Sequence, residues 1–416
     1  MGEPSKILSF EDARHLVEEH AAKLLPPQTE IVELLAASGR VLATSIISDR
    51  DLPPFPRSTR DGYAVRSADL LTVPVTLDVI GEIKAGERVE NIPAHVRPGQ
   101  SVSIMTGAPV PAGADAVVMV EYTSQRDGRV EFTRSVVAGE NIVPSGAEAR
   151  QCAVLVSPGV LLNDAAIALA ASVGKSCLEV YQRPRIAVLT TGDEIVGVES
   201  IPGPTQIRNS NSYSLAVQIR NAGGEPVLLP IAPDEPRRLR DLVEQGLNLD
   251  LLLMTGGVSM GRYDLVEQVL EDLHAEFFFT GANIQPGRPV VFGRCPGRGS
   301  RNTSTTYFFG LPGNPVSTMV TFELFARPIL EALAGMSAQK LRFVHARLKS
   351  EIRVKTGLKR FLPAILSGEF EATQVELVSW QGSGDVAATA RANCYVVVPA
   401  DRQSITAGEF VPVLLR

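Results

Sequence analysis

The stretch LLLMTGGVSMGRYDLVEQVL, Leu251 to Leu270, carries an apolar run into Thr255, breaks it on two glycines, and resumes with apolar residues at helical spacing. A run with no polar alternation fits a strand buried on both faces, and the periodic segment after the glycines fits a helix packed back on it. The same grammar appears in IAVLTTGDE (Ile186–Glu194), EPVLLPIAPDE (Glu225–Glu235) and YFFGLPG (Tyr307–Gly313). Helical patterns in SYSLAVQIRNAGG, PRRLRDLVEQGLN, DLVEQVLEDLH and NPVSTMVTFELFARPILEALAG alternate with them. From Arg185 onward the chain therefore reads as an α/β domain on a parallel sheet.

The flanking sequence follows other rules. Ser9 precedes Phe10 and Asp12 in a capping pattern, and Ala13, Leu16, Val17, Ala21 and Leu24 then repeat at helical spacing, so the chain opens on an amphipathic helix. Between about Asp51 and Glu148, short β-favouring runs such as VTLDVIGEI and AVVMVEY sit between Pro- and Gly-rich turns and indicate a β-rich domain. Helical spacing returns in NDAAIALAASVG, where Asn163 is placed to cap and Gly174 to stop a helix that packs back on the N-terminal region, which would make the first domain discontinuous. After about Ala338, short strands resume to Arg416 and point to a small barrel or sandwich; GRGSRNTSTT (Gly297–Thr306) reads as a mobile hairpin loop.

Composition narrows the partners. At 416 residues the chain exceeds one ordinary core, and 40 basic against 46 acidic side chains give a net charge of −6, which offers no broad field for nucleic acid. The four cysteines, Cys152, Cys177, Cys295 and Cys394, form no CxxC pair, which suits a reducing cytoplasm and argues against structural zinc. The charged N-terminus and the lack of an apolar stretch near 18 residues give no indication of secretion or of a membrane span.

In open parallel sheets, ligands collect beyond the carboxyl ends of the strands. There the chain places Thr190, Thr191, Asp193 and Glu194; Asp234 and Glu235; Thr255, Ser259 and Asp264; and Asn314 and Ser317. Gly256 and Gly257 permit positive φ and let successive N–H groups face phosphate oxygens. Glu194, Asp234 and Asp264 on one rim would repel each other unless Mg²⁺ or a hydrogen-bond network compensates. Taken singly, each acid is more simply a cap or a surface turn, and Asp234 before EPRRLRDL reads as an N-cap. LPGNPVS offers a helix N-terminus to an oxyanion, stiffened by Pro312 and Pro315, and QPGRP (Gln285–Pro289) adds the Arg288 guanidinium; the bland readings are a rigid turn and a solvated arginine.

Six stretches occur together and in order: PPFPRSTRDGYAVR, IMTGAPVP, LTTGDE, MTGGVSMGRYD, QPGRP and LPGNPVS. In this they resemble the molybdopterin molybdenumtransferases, the family that includes the E-domain of gephyrin, over essentially the whole chain. The resemblance implies a discontinuous domain I (1–50 and 148–182), an inserted β-rich domain II (51–147), an α/β molybdopterin-binding domain III (183–337) related to molybdopterin adenylyltransferases, and a C-terminal β-barrel domain IV (338–416). It further implies a cytoplasmic, elongated homodimer that inserts molybdate into adenylylated molybdopterin with Mg²⁺-dependent release of AMP. The molybdopterin adenylyltransferase and molybdoenzyme chaperones are the implied protein partners.

Residue by residue, Asp61 and Thr106 match functional positions, with Asp61 approaching from a partner subunit. Glu194, Asp234 and Asp264 match acids at the metal and pyrophosphate. Gly256, Gly257 and Ser259 would cradle phosphate, Pro312 and Pro315 match the loop beside the molybdate region, to which Ser383 in WQGSGD contributes, and Thr191, Gly192, Asp193, Thr255, Arg288, Gly313, Asn314 and Ser317 complete the implied substrate-binding residues. The chain departs from the pattern at Gln285 and Arg288, where many members carry lysines, and at Glu148, where many carry Asp; Arg360 lies near, without clearly matching, a family arginine. The five histidines, His15, His20, His95, His274 and His345, fall outside these motifs. An adenylyltransferase, which would consume ATP, and a non-catalytic scaffold that binds peptides remain the alternatives.

Overall fold

The computed structural model describes residues 6–257, 265–296, 305–369 and 372–416. The chain divides into two compact units: Met1–Ala43 with Pro158–Asn163 and Cys177–Arg416, and Thr44–Ser157 with Asp164–Ser176.

The first unit is built on a six-stranded sheet in the order Glu225–Leu228, Arg185–Thr190, Leu251–Thr255, Thr305–Leu311, Val291–Pro296, Glu276–Phe279. The first four strands are parallel, as the apolar runs predict. Val291–Pro296 runs antiparallel to its neighbours on both sides, Thr305–Leu311 and Glu276–Phe279, so the sheet is mixed rather than parallel throughout. The connection from Thr280 to Val290 is too short for a crossover helix, which suits the reversal after Glu276–Phe279.

Alternate residues of the central strands feed opposite faces. Ile186, Val188, Leu251 and Leu253 pack with Leu215 and Ile219 of α3 (Asn211–Asn221) and with Ala13 and Val17 of the opening helix α1 (Phe10–Ala21). Ala187, Leu189, Leu252 and Met254 pack with Leu239, Leu242 and Val243 of α4 (Pro236–Leu247) and with Val266 and Val269 of α5 (Leu265–Asp272). Burial on both faces explains why these strands lack polar alternation.

Ser9 caps α1 as expected, its hydroxyl accepting the Asp12 N–H at 3.0 Å. The helical stretch after strand Thr305–Leu311 is interrupted: α6 (Pro315–Thr321) passes through a π turn, Phe322–Ala326, into α7 (Arg327–Leu333). Pro328 supplies the cause, because it has no N–H for the Leu324 carbonyl one turn earlier. Arg14 of α1 fills that vacancy, its Nη1 donating to Leu324 O at 2.6 Å while the residue is 7% exposed.

The carboxyl-terminal strands Phe343–Leu348, Lys359–Ser367, Gln374–Leu377, Cys394–Val398 and Phe410–Leu415 form a barrel, closed by pairing of Lys359–Ser367 with Cys394–Val398. Leu362, Ala364, Val396, Val398, Val411 and Val413 fill it. Ile284–Gln285 adds a parallel strand beside Lys359–Arg360. Phe10 of α1 packs on Phe361 and Phe325, and Glu11 pairs with Lys359.

The second unit holds a six-stranded sheet in the order Ala116–Met119, Gly62–Val65, Gln100–Ile104, Val75–Ile83, Arg129–Phe132, Thr123–Arg126, together with α2 (Asp164–Ser172). Its last hairpin turns on Asp127 and Gly128, both at positive φ (50° and 76°), which suits the right-handed strand twist. AVVMVEY is a strand only to Met119, after which Val120–Tyr122 tightens into a 3₁₀ turn.

Candidate functional site

Three strand ends of the first unit assemble a polar rim. The Thr191 N–H donates to Thr255 O at 3.0 Å, and the Ala232 N–H to Thr190 O at 2.9 Å, which holds the loops after strands 185–190, 225–228 and 251–255 side by side. The glycines of the opening stretch are required here. A Cβ on Gly256 (φ 88°) would lie 2.4 Å from Thr191 O, and one on Gly257 (φ 62°) would lie 2.8 Å from Val266 Cγ2 and 2.9 Å from Thr191 Oγ1. A Cβ on Gly313 would sit 3.5 Å from Gly256 Cα, so the two glycine bends are close neighbours.

The acids of this rim crowd one another. Asp193 Oδ1 accepts the Asp234 N–H at 3.1 Å. Burial raises the Asp234 carboxyl above the usual carboxylate range, and the charges of Asp193 and Glu194 raise it further. Glu194 folds back over Gly192, where a Cβ would meet its Oε2 at 2.5 Å. Asp234 does not cap α4: the N-cap is Glu235, without a side-chain bond, and Pro236 follows in the first turn. Asp234 instead lies one residue before the cap with its backbone tied to Asp193, which leaves its carboxylate to the rim. Asp264 and Ser259 lie outside the described residues. Among the described residues no three His, Cys, Asp or Glu side chains are arranged to hold a metal ion.

A second cluster surrounds the start of α6. Asn314 is its N-cap, without a side-chain bond, and Pro315 occupies the first turn. Thr255 Oγ1 and Thr318 Oγ1 both donate to Pro312 O, at 3.2 and 2.5 Å, which pins the Pro-Gly-Asn-Pro bend to the neighbouring strand end. Ser317 is 3% exposed. Ser383, expected to present its side chain here, contributes its carbonyl, which accepts the Val316 N–H at 3.0 Å. Gly287 (φ 102°) presses the Gln285–Pro289 turn onto α6, since a Cβ would lie 2.4 Å from Thr321 Cγ2. Gln285 and Arg288 are exposed on that turn. Arg360, opposite Gln285 in the strand register, is 6% exposed; its Nη1 donates to Leu358 O at 3.0 Å, and among the described residues it has no carboxylate partner. Burial lowers its pKa, as expected for a cation without a counter-ion.

In the second unit, Asp61 and Thr106 are brought together. Asp61 Oδ1 accepts the Thr106 N–H at 2.7 Å and its hydroxyl at 2.8 Å. The backbone bond, then the hydroxyl, holds the carboxyl below the usual range. Glu148 pairs with Arg57 at 3.0 Å.

Sequence reasoning missed Asn211, the first residue of α3. Its Nδ2 donates to Thr255 Oγ1 at 2.8 Å and to Gly313 O at 2.7 Å. Beneath it, Asn209 Nδ2 donates to Ser212 Oγ at 2.9 Å, and Ser212 Oγ lies 2.8 Å from Thr190 Oγ1. The signal was available in RNSNSYS, a polar cluster opening a helix beside a strand end, but the helical period begins only after it.

A mixed α/β sheet with glycine bends and clustered acids at its parallel strand ends defines an α/β domain with its polar rim where ligands of such sheets collect, and residues 187–332 match the model described as a probable molybdopterin binding domain. Residues 8–174 match the MoeA N-terminal region (domain I and II), and residues 345–415 the MoeA C-terminal region (domain IV). The chain is 33% identical to the molybdopterin molybdenumtransferase of Nostoc sp., over 98% of this chain and 93% of that one. It is 32% identical to molybdopterin molybdenumtransferase 1 of Mycobacterium tuberculosis, over 95% and 98%. Among solved structures, a molybdopterin biosynthesis MoeA protein from Pyrococcus horikoshii OT3 matches with a TM-score of 0.76 at 26% identity, covering 99% of this chain and 100% of that one. The chain belongs to the MoeA family, the molybdopterin molybdenumtransferases.

Proposed function

We propose that this protein acts in molybdenum cofactor biosynthesis by inserting molybdate into adenylylated molybdopterin, with Mg²⁺-dependent release of AMP. One observation carries the reading: Asp193, Glu194 and Asp234 crowd one another on loops tied to the strand end that Gly256 and Gly257 follow, and a crowded acid set is stabilised by a cation that also meets phosphate.

The chain's own groups have distinct tasks. The N–H groups of Gly256 and Gly257, with Thr191, Gly192, Thr255 and Ser259, cradle the phosphates. Glu194 and Asp234, joined by Asp264 from outside the described residues, would hold Mg²⁺, which supplies charge neutralisation to the phosphoanhydride. The raised Asp234 carboxyl fits this assignment, because a nearby cation reverses the cost of ionising it. Molybdate, a substrate, is drawn to the start of α6 at Pro312, Gly313, Asn314, Pro315 and Ser317, with Arg288, the buried Arg360 and Ser383 around it. No protein nucleophile is needed, because positioning and charge compensation suffice.

Asp61, held ionised by Thr106, serves the same reaction from the partner subunit of a homodimer. The organisation into domain I (1–50 and 148–182), domain II (51–147), domain III (183–337) and domain IV (338–416) belongs to this reading, as do a cytoplasmic setting and hand-over contacts with the adenylyltransferase and molybdoenzyme chaperones. Incubating the purified protein with adenylylated molybdopterin, Mg²⁺ and graded molybdate tests the reading. AMP should appear in step with inserted molybdenum, whereas consumption of ATP, or peptide binding without turnover, would assign the chain to an alternative.

A further inference from the structure

We infer that Asn211 is a positioning residue that sets the spacing between the two glycine bends of the site, an inference that rests on the proposed function. The main-chain pairing of strands 251–255 and 305–311 ends at Thr255 and Leu311, and beyond that rung no ladder joins Gly256–Gly257 to Pro312–Gly313. One amide continues the connection from the side: Asn211 Nδ2 donates to Thr255 Oγ1 and to Gly313 O, while Thr255 Oγ1 donates to Pro312 O. The phosphate bend and the bend that opens α6 are thus tied through α3.

Asn211 is 7% exposed, and its Oδ1 is buried with no partner among the described residues. A buried acceptor left unpaired works against folding, whereas both donor hydrogens of the same amide are placed on the two bends. The first position of a helix also suits the task, because its backbone is held by the whole of α3. A rigid element therefore fixes the distance between the two substrate-facing loops.

The test uses the full chain in two variants, Asn211→Ala and Asn211→Asp, the second keeping shape while removing the donors. Amide exchange on the unliganded protein should speed up at Gly256, Gly257 and Gly313 and remain unchanged in the barrel strands. In turnover, kcat for AMP release should fall by about 10- to 100-fold, a loss of the size expected from slight misplacement, with KM changed far less. If Asn211→Asp exchanges and turns over like wild type, or if Asn211→Ala loosens the whole protein uniformly, the inference is overturned. A wild-type protein that releases no AMP would overturn the functional reading instead, and the exchange measurement would still decide the tie.

Discussion

Thr106 donates both its backbone N–H and its hydroxyl to a single oxygen of Asp61. An exposed carboxylate that collects two donors is held ionised by its immediate neighbour rather than by the surrounding protein. Thr106→Val removes one donor and keeps the other, so the Asp61 pKa should move part of the way back toward the ordinary value. The linked stability has a definite sign. A depressed carboxyl stabilises the fold above its unfolded pKa, and that contribution is lost as pH falls through the folded value. Carbon-detected NMR titration of the Asp61 carboxyl reads this directly, and an unmoved titration would remove Thr106 from the role.

Asp234 behaves in the opposite way. Its raised carboxyl disfavours the ionised fold, so Asp234→Asn should stabilise the protein at neutral pH, and the gain should vanish as acid protonates the native Asp234. The same change should reduce AMP release by at least about a hundredfold, the scale of losing a charge-positioning group. Thermal unfolding across pH, alongside turnover, checks both arms; equal stability at every pH would contradict the crowding of acids.

Gly256→Ala should cost stability as well as activity. Positive φ alone disfavours a side chain by about 1–3 kcal/mol, and here the added methyl also meets a backbone oxygen. Urea unfolding gives the loss, and a midpoint equal to wild type would mean that the bend relaxes freely.

Arg14→Met keeps the aliphatic stem and removes the donor to Leu324 O. Leaving that carbonyl unpaired in the interior should cost about 1–3 kcal/mol, and exchange should rise along α1 before the central sheet is affected. A midpoint equal to wild type would show that the π turn needs no partner.

These relationships divide according to range in sequence. The strands at Ile186, Leu251 and Tyr307 were legible because burial on both faces writes itself as an unbroken apolar run, and Ser9 because a cap is a local signal. The antiparallel edge at Val291–Pro296 and Glu276–Phe279 was not, since apolar strands look alike in either direction. Asp234 was misread as a cap because Pro236 shifts the helix start by one residue. Arg14 and Asn211 have partners 310 and 102 residues away, and no local pattern announces such pairings. The glycine bends were anticipated by residue type, yet the reason for each, a clash with Thr191 or Val266, exists only in the folded chain.

The most direct test compares wild type with Glu194→Ala, each shown to be folded, in AMP release from adenylylated molybdopterin with and without Mg²⁺ and molybdate. The wild-type protein should release AMP only with Mg²⁺ present, and Glu194→Ala should fall to background under every condition. AMP release by the variant at the wild-type rate, or by wild type in the presence of excess EDTA, would contradict the assignment of the acidic rim to cation and phosphate.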